Sequence, residues 1–563
     1  MITSSLISME PKKGLLTLAR LASVLIIVGL SPLRAQGTAI SGIVTDSSAK
    51  PTPGALVRIR SEELGLSFML VSQAQGRYRT PALLPGKYTV QGFGPDSQSE
   101  PRGPVEIRAG QAGQLDLTLS APLTIPPPFK RMNDADYAKL MPEGKGKNIV
   151  VARCATCHDL DWIIAARKTP DEWQDTVERM RYDLQGRERP LNREEELTQL
   201  DPAVEYLGKT FTPNTPVDSR VVEQALSQPG THSHPNRNLA GGFLKHASPY
   251  VAMEFSLPPN SMPRDLAVDS NGIAWVNESN SGILGRFDPD SMSYARIPVP
   301  SATTSKVQLS SIAIDPTGDV WFVDEGSDAR MIQYKPKSKE FRSYPLTRYH
   351  YPIPPNSSRA RLVSLRFLAG NVWAVGPAAN WIVKLEPSTG KTTQYPVPHG
   401  SFPSGLAIGG DHRIWYAAEV GNFVGSLDPA AGRLKHFDVP TAKSQLRGMS
   451  ADAEGNLWVA ETAAGKLLKV GFRDGTLTEF DLPNAESGPY TIAVDTKHNV
   501  IWFSEIYADK IGRFDPKNMS FVEFPAPSAD LDVRRLEIDQ NNPNRVWWAD
   551  GTGAKIGYVE AME

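Results

Sequence analysis

Seven tryptophans at near-constant spacing constrain this chain more than any other feature. Successive spacings are 46, 52, 42, 43, 44 and 45 residues, and the long one contains the insertion Arg348–Asn356. Around each tryptophan recur an apolar strand, a Gly or Asn turn and a later Ile/Leu-Gly-x-Phe-Asp-Pro pattern. A period of about 40–45 residues built from short strands predicts a seven-bladed β-propeller over residues 248–563. The tryptophans are Trp275, Trp321, Trp373, Trp415, Trp458, Trp502 and Trp547.

The two ends of the repeat region are predicted to meet. The seventh copy ends at Ile556–Glu560 and lacks a fourth strand, whereas Val251–Pro258 resembles that strand and precedes the first copy. Pairing between these segments would close the ring and leave no open sheet edge.

The repeat resembles the virginiamycin B (streptogramin) lyase family over about 310 residues. The resemblance is carried by Thr491–Asp495 (Thr-Ile-Ala-Val-Asp), Ile501–Glu505 (Ile-Trp-Phe-Ser-Glu) and Lys510–Pro516 (Lys-Ile-Gly-Arg-Phe-Asp-Pro). It implies ester elimination on a cyclic depsipeptide, with magnesium-binding glutamates and a histidine base. In that family a metal-binding Glu has a His two positions later. No Glu-x-His occurs in this chain, and the best-matching copy has Glu505-Ile-Tyr507. A metal-dependent lyase or hydrolase is therefore the alternative function rather than the preferred one.

Acidic and basic residues recur at fixed places in the repeat. Arginines stand eleven or twelve residues before the tryptophan, at Arg264, Arg361, Arg447 and Arg535. If register is kept, acids and arginines converge on one mouth of the channel, where Mg²⁺, Ca²⁺ or a polar ligand would bind. The alternative is that duplication copied a turn residue with its ion-pair partner. The acids are Glu278, Asp324, Glu461, Glu505 and Asp550, three residues after the tryptophan, with Glu419 one position later.

The strongest chemical signal is Cys154-Ala-Thr-Cys157-His158, which holds both cysteines of the chain. C-x-x-C-H is the attachment pattern of c-type haem. Cysteines three apart at a helix end can each form a thioether to a haem vinyl group, with His158 as proximal iron ligand. Zinc would need four ligands, and no second cysteine pair exists. A thioredoxin-like motif would need a preceding strand, whereas Gly144–Arg153 has a helical pattern. The prediction is covalent haem c.

The sixth iron ligand is predicted to be Met180. The segment from Val151 to Leu207 resembles small class I-like cytochrome c domains, in which a helix-borne Met is the usual second axial ligand. Met180 is the only Met between His158 and residue 250. The alternatives are core packing of Met180, ligation by His232 or His234, and an open site.

Helix signals surround the motif within a predicted domain over residues 122–212. Thr169-Pro-Asp-Glu172 has the capping-box pattern of a helix start. A second helix is expected from Asn192, with Pro202 interrupting it. Residues 213–247 are predicted to form a linker.

Residues 37–121 are predicted to form a β-sandwich of the immunoglobulin-like or prealbumin-like type. Short alternating segments include Ser41–Thr45, Ala55–Arg60, Gly86–Val90 and Gln114–Leu119. The segment resembles the carboxypeptidase regulatory-like family through Pro53-Gly-Ala55, Gly76-Arg-Tyr78 and Leu84-Pro-Gly-Lys-Tyr88, together with Gly42-x-Val44-x-Asp46. The resemblance implies a module without catalytic residues.

Residues 1–36 are interpreted as a signal peptide. Lys12, Lys13 and Arg20 precede the apolar run Leu21–Leu30, which is short for a membrane span. An uncleaved anchor is the alternative, and either one places the rest of the chain outside the cytoplasm, in the periplasm or secreted. No further membrane span is expected, and the net charge of −2 argues against a nucleic-acid binder.

These features predict a multidomain, mainly β chain: a sandwich, a small α-helical cytochrome c domain and a propeller. The predicted function is that of an exported electron-transfer haem protein, whose propeller binds a redox partner protein or a small-molecule substrate. Possible oxidoreductase activity follows from the haem motif alone.

Overall fold

The computed structural model describes most of the three predicted regions. The described residues are 39–125, 132, 134–154, 160, 163–164, 166–174, 176–177, 193–219, 236–239, 249–259, 261–279, 281–301, 307–326, 329–346, 362–377, 380–398, 401–551 and 553–562. The predicted signal peptide lies outside them, as do Cys157, His158, Met180, His232, His234 and Arg361. Within the described residues, no helix is both long and apolar enough to cross a membrane.

The N-terminal region forms two β-sheets that share an apolar core. One sheet has the order β4-β1-β8 with β9 also paired to β1, and the other contains β10-β6-β5-β2-β3 with β7 on β5. Ile40, Val44, Ile59, Phe68 and Tyr88 are fully buried between them. The strands are β1 (Ile40–Asp46), β2 (Leu56–Ser61), β3 (Leu66–Val71), β4 (Arg77–Arg79), β5 (Gly86–Phe93), β6 (Ser97–Gln98), β7 (Arg102–Ile107), β8 (Gly113–Gln114), β9 (Leu117–Leu119) and β10 (Ala121–Pro122).

The second region is helical. Its elements are α1 (Asp134–Leu140), α2 (Lys147–Ile149), which continues into a wide helical turn at Val150–Cys154, helical residues 170–174, and α3 (Arg193–Thr210). The capping box is present: the Thr169 backbone N–H donates to Glu172 (2.8 Å), and the Glu172 N–H donates to the Thr169 hydroxyl (3.3 Å).

The expected interruption at Pro202 is not observed, because α3 runs through it as one helix. Proline removes one intrahelical hydrogen bond, but the flanking side chains hold the helix by packing. Ala203, Tyr206 and Leu207 of α3 are buried in one apolar cluster with Tyr137 and Trp173. Tertiary packing therefore outweighs the local cost of the proline.

The third region consists of consecutive four-stranded antiparallel sheets. Each sheet follows chain order, from an innermost to an outermost strand. The strands of the first six sheets are β12 (Pro263–Val268), β13 (Ala274–Glu278), β14 (Ile283–Asp288), β15 (Ser293–Pro298); β16 (Leu309–Ile314), β17 (Val320–Asp324), β18 (Arg330–Lys335), β19 (Glu340–Pro345); β20 (Val363–Leu368), β21 (Asn371–Gly376), β22 (Trp381–Glu386), β23 (Lys391–Pro396); β24 (Pro403–Ile408), β25 (Ile414–Ala418), β26 (Phe423–Leu427), β27 (Leu434–Asp438); β28 (Leu446–Ala451), β29 (Leu457–Glu461), β30 (Lys466–Val470), β31 (Leu477–Asp481); and β32 (Pro489–Asp495), β33 (Val500–Glu505), β34 (Lys510–Asp515), β35 (Ser520–Pro525).

The seventh repeat copy contributes only three strands, and a strand that precedes the first copy supplies the fourth. The three strands are β36 (Val533–Ile538), β37 (Arg545–Asp550) and β38 (Lys555–Ala561), and β38 pairs with β11 (Tyr250–Ser256). The pairing between Val251–Pro258 and the end of the chain was predicted from sequence, and it is observed. The first strand of each sheet contacts that of the next, and β36 contacts β12. The arrangement is propeller-like.

One pairing joins the sandwich to this last sheet. The outer edge of β11 pairs antiparallel with β3 from Leu66↔Phe255 to Leu70↔Val251. The described strands therefore form one continuous ten-stranded sheet, which runs from the sandwich to β36. An edge that would otherwise stay open is covered by the neighbouring domain.

The repeated residues of the sequence hold each sheet together. In five of the seven copies the indole N–H of the anchor tryptophan donates to an aspartate in the preceding turn, as in Trp321–Asp315 (2.8 Å) and Trp458–Asp452 (3.1 Å). The indole N–H groups of Trp373 and Trp502 have no acceptor among the described residues. In five copies an aromatic residue of the outermost strand packs on the tryptophan ring, as Phe524 does on Trp502, with ring centroids 5.4 Å apart. The repeat pattern thus encodes a packing unit.

Candidate functional site

A cavity of about 250 Å³ lies between the innermost strands. Seven strands contribute to its wall, each with residues near its first end: β12, β16, β20, β24, β28, β32 and β36. Its charged and aromatic lining residues are Arg264, Asp265, Arg366, Phe402, Glu419, Arg447, Tyr490, Arg534 and Arg535. The repeats therefore build one shared concave site.

Irregular strand pairing shapes this wall. In every pair of first and second strands the register shifts near the start of the innermost strand, as between Leu446 and Met449 or Val533 and Arg535. A bulge re-aims the side chains of the extra residues, and bulges are common beside functional sites. Arg447, Tyr490 and Arg534 all lie within such shifts and line the cavity.

One side of the cavity carries an ordered group of charged and aromatic side chains. Arg447 forms a 2.6 Å ion pair with Glu419, and its guanidinium lies 5.1 Å from the centroid of the Tyr490 ring. Arg534 lies 5.5 Å from the same centroid and binds Asp532 through its Nε at 2.7 and 2.8 Å. These cation–π contacts and ion pairs position both guanidinium groups.

A second charged group of the same wall combines Asp265 with two arginines. Arg535 lies 3.3 Å from Asp265 and 3.0 Å from Glu537. Arg366 donates to the carbonyls of Leu365 (2.8 Å) and Met449 (3.4 Å), and no carboxylate of the described residues lies within 4.0 Å of it. Burial, with the positive charge of Arg535 nearby, lowers the pKa of Arg366 to about 10.

The acids three residues after each tryptophan do not line this cavity. Glu278 is buried and accepts hydrogen bonds from Arg296 (2.6 and 2.8 Å), Tyr294 (3.0 Å) and Ser281 (2.7 Å). Asp324 is held by Arg330 at 3.1 Å. Their partners belong to the same sheet, so the expected convergence of these acids on the mouth does not occur. Glu278 and Asp324 instead agree with the alternative, in which repeat duplication copied an acid together with its ion-pair partner.

Glu461 and Glu505 are buried without hydrogen-bond partners for either oxygen. Burial raises the pKa of Glu461 to about 8, with Glu479 adding repulsion. Burial likewise raises the pKa of Glu505 to about 8, with Glu523 adding repulsion. Carboxyls in such surroundings are largely protonated at neutral pH.

The predicted mouth residues therefore separate into two sets. Arg264 and Arg447 line the cavity, whereas Glu278, Glu461 and Glu505 lie within their own sheets. Among the described residues, no group of three or more His, Cys, Asp or Glu side chains could hold a metal ion. Binding of Mg²⁺ or Ca²⁺ at the mouth stays a prediction from sequence.

Charged and aromatic residues of the cavity that the sequence pattern did not single out include Arg366, Tyr490 and Arg534. Arg534 precedes the recognised Arg535, and Tyr490 precedes the Thr491–Asp495 motif. Tyr490 and Arg534 stand at the start of an innermost strand, inside the register shift, whereas Arg366 is the residue of β20 at which regular pairing resumes. A bulge leaves no periodic pattern in the sequence, so these residues can be identified as cavity residues only once the pairing of the strands is known.

Of the predicted haem residues, only Cys154 is described. It ends the helical segment Lys147–Cys154 and packs, partly buried, against the apolar cluster of the helical region. That cluster is formed from both sides of the motif in sequence, by Tyr137 and Val150 before it and by Ile163, Trp173 and Leu207 after it.

Comparisons with known proteins identify two parts of the chain. Residues 345–563 match the model of the virginiamycin B lyase family, and residues 39–120 match the carboxypeptidase regulatory-like domain. A comparison with curated proteins finds no match. Both resemblances stated from the sequence are confirmed for these segments.

Solved structures with a similar fold include lyases and other proteins. Virginiamycin B lyase from Staphylococcus aureus is 22% identical, with 55% of this chain and 99% of that chain covered at a TM-score of 0.48. A streptogramin B lyase structure is 23% identical, and the match covers 55% of this chain and 97% of that chain at a TM-score of 0.48. YCF48 bound to a D1 peptide is 13% identical, and the match covers 57% of this chain and 97% of that chain at a TM-score of 0.44. At these identities nothing follows about activity.

Proposed function

We propose that this chain is an exported c-type haem protein that transfers electrons through residues 122–212. In this proposal a seven-bladed propeller binds the redox partner or the substrate. The observation that carries the proposal is the motif Cys154-Ala-Thr-Cys157-His158, which uses both cysteines of the chain.

The surroundings of Cys154 fit a haem. A haem requires apolar packing around its ring, and the protein tunes its potential through burial and axial ligands. Cys154 packs on a cluster that includes the buried side chains of Tyr137, Ile163, Trp173 and Leu207. These residues come from both sides of the motif in sequence, so the chain packs around Cys154 from both directions.

The proposal gives each motif residue one role. Cys154 and Cys157 would hold the haem through thioether bonds, and His158 and Met180 would be the axial iron ligands. When bound, haem supplies one-electron redox chemistry. The apolar cluster around Cys154 would exclude water from that side of the haem.

Replacing Met180 by Leu tests the axial ligand. We expect loss of the weak Met-to-iron absorption band and a fall in reduction potential on the order of tenths of a volt, within the ~0.8 V range that axial ligands span. The measurement is a reductive titration of periplasmically matured protein, followed by its visible spectrum.

Met141→Leu is the matched control, because Met141 is a buried methionine of the apolar cluster around Cys154. It should leave the band and the potential unchanged. Identical titrations for wild type and Met180→Leu would assign Met180 to core packing. His232→Ala and His234→Ala would then be examined in the same way.

The second candidate is a metal-dependent lyase or hydrolase, which the family-model match over residues 345–563 favours. Its test is the rate at which the chain opens a streptogramin B antibiotic in the presence of Mg²⁺. We expect no rate above that of a boiled sample, because Glu505 is buried within its sheet and Tyr507 stands where the family has a histidine. Ring opening by the intact chain would favour the lyase.

A further inference from the structure

The wall of the central cavity is rich in arginine. Five guanidinium groups line its described part and only two carboxylates do, Asp265 and Glu419. Behind the wall, Asp532 and Glu537 bind Arg534 and Arg535. Even when these two acids are counted, the arginines leave a net charge of +1 at the cavity wall. The arginines are Arg264, Arg366, Arg447, Arg534 and Arg535.

Two of these guanidinium groups have hydrogen-bonding capacity left over. Arg366 has five N–H groups, of which carbonyl oxygens of Leu365 and Met449 accept two. Arg447 binds Glu419 through Nη2, and its buried Nε donates no hydrogen bond to the protein. Both side chains line the cavity and are partly exposed, so an anion there would accept hydrogen bonds from the N–H groups that stay accessible.

The guanidinium groups are held before any ligand arrives. Arg447 and Arg534 both lie over the ring of Tyr490, with centroid distances of 5.1 and 5.5 Å. Gly448 keeps the neighbouring strand close, since a Cβ there would lie 2.6 Å from the Thr491 Cα. A rigid wall loses little side-chain entropy on binding.

We propose that this cavity binds a small oxyanion that carries carboxylate or phosphate groups, through Arg366 and Arg447. Arginine's planar fork matches both groups by paired hydrogen bonds. A volume of about 250 Å³ admits a small molecule and excludes a folded partner. This inference rests on the part of the proposed function that makes the propeller the binding module. It does not depend on whether the chain holds a haem.

The experiment is calorimetric titration of the full, periplasmically matured chain with citrate, inorganic phosphate and glycerol at constant ionic strength. Saturable heat with citrate or phosphate, and none with glycerol, is expected. The stronger of the two anions identifies the preferred group. Absence of heat with both anions would overturn the proposal.

Arg447→Gln and Arg366→Gln should each weaken anion binding by about tenfold or more, because each removes a charge-assisted hydrogen bond. Arg342→Gln is the matched control, since Arg342 lies exposed on the outermost strand β19, and it should bind like the wild type. If Arg366→Gln fails to fold, Arg447→Gln alone decides. Equal weakening in Arg342→Gln would show nonspecific charge binding and overturn the site.

The visible spectrum of the same samples keeps this inference separate from the proposed function. An intact haem spectrum without anion binding removes only the cavity proposal. Anion binding that Arg447→Gln weakens, in a chain that holds no haem, supports the cavity site and contradicts electron transfer.

Discussion

Asp509→Leu should lower the free energy of unfolding by about 3–5 kcal/mol, the usual cost of leaving one partner of a buried ion pair uncompensated. Asp509 is fully buried and binds Arg237 through two hydrogen bonds of 2.8 and 2.9 Å. The backbone N–H groups of Asp530 and Leu531 donate to the same carboxylate. Urea denaturation measures the change.

The pair attaches the segment that follows the helical region to the propeller. Asn238 adds a 2.7 Å bond to the carbonyl of Ala526, and Leu239 is fully buried. Arg237→Met should cost a similar amount, whereas Arg237→Met with Asp509→Leu should cost less than the two single changes added together.

Glu106→Gln is the control for this ion pair, because Glu106 forms an exposed pair with Arg108 and should leave the denaturation curve unchanged. Single changes at Arg237 and Asp509 that behave like this control would show that the segment is not anchored by the pair.

The second large effect concerns pH and the carboxyls of Glu461 and Glu505. Burial raises both pKa values to about 8, so between about pH 5 and 8 the folded state binds more protons than the unfolded state. Stability must therefore fall as pH rises through this window, by at most about 1.4 kcal/mol per pH unit for each group. Glu461→Gln with Glu505→Gln should flatten this slope and raise the melting temperature at pH 8.

Melting temperature from pH 5 to 8 checks this expectation, with Glu340→Gln as control because Glu340 is exposed on a strand of the same propeller. Mg²⁺, Ca²⁺ and chelator should leave the wild type unchanged. A rise in melting temperature with metal, lost in the double variant, would contradict protonated carboxyls and support the cation site predicted from sequence.

The propeller-like region was predictable because its information is local and repeated. In five of the seven copies a turn aspartate accepts a hydrogen bond from the tryptophan, and in most copies an aromatic of the outermost strand packs on its ring, so the packing unit leaves a period in the sequence. The displaced strand was predictable by counting: the last copy lacked one strand, and Val251–Pro258 supplied it.

The position of the acids was not predictable from the repeat alone. The residue three positions after the tryptophan still belongs to the second strand, as Glu278 belongs to β13 (Ala274–Glu278), so its side chain meets the neighbouring strands of its own sheet, whereas Glu419 lies just past the end of β25 (Ile414–Ala418). Glu278 therefore meets Arg296 and Tyr294. Glu419 stands one position later in its copy, and it is the acid that reaches the cavity and binds Arg447. A shift of one residue separates a structural acid from a site residue.

The junction of sandwich and propeller was also beyond the sequence pattern. β3 pairs with β11 through backbone N–H and C=O groups, which every residue except proline carries. Edge pairing of this kind depends on which strand ends exposed in space, and no side-chain motif records it.

Covalent haem is the central claim, and haem retention on a denaturing gel tests it most directly. The chain would be produced with a cytochrome c maturation system, unfolded and stained for haem, and its intact mass measured. We predict that the wild type keeps its haem and that Cys154→Ala with Cys157→Ala keeps none, because the thioether bonds need both sulfurs. A wild type that loses its haem on unfolding, or a double variant that retains it, would contradict the account.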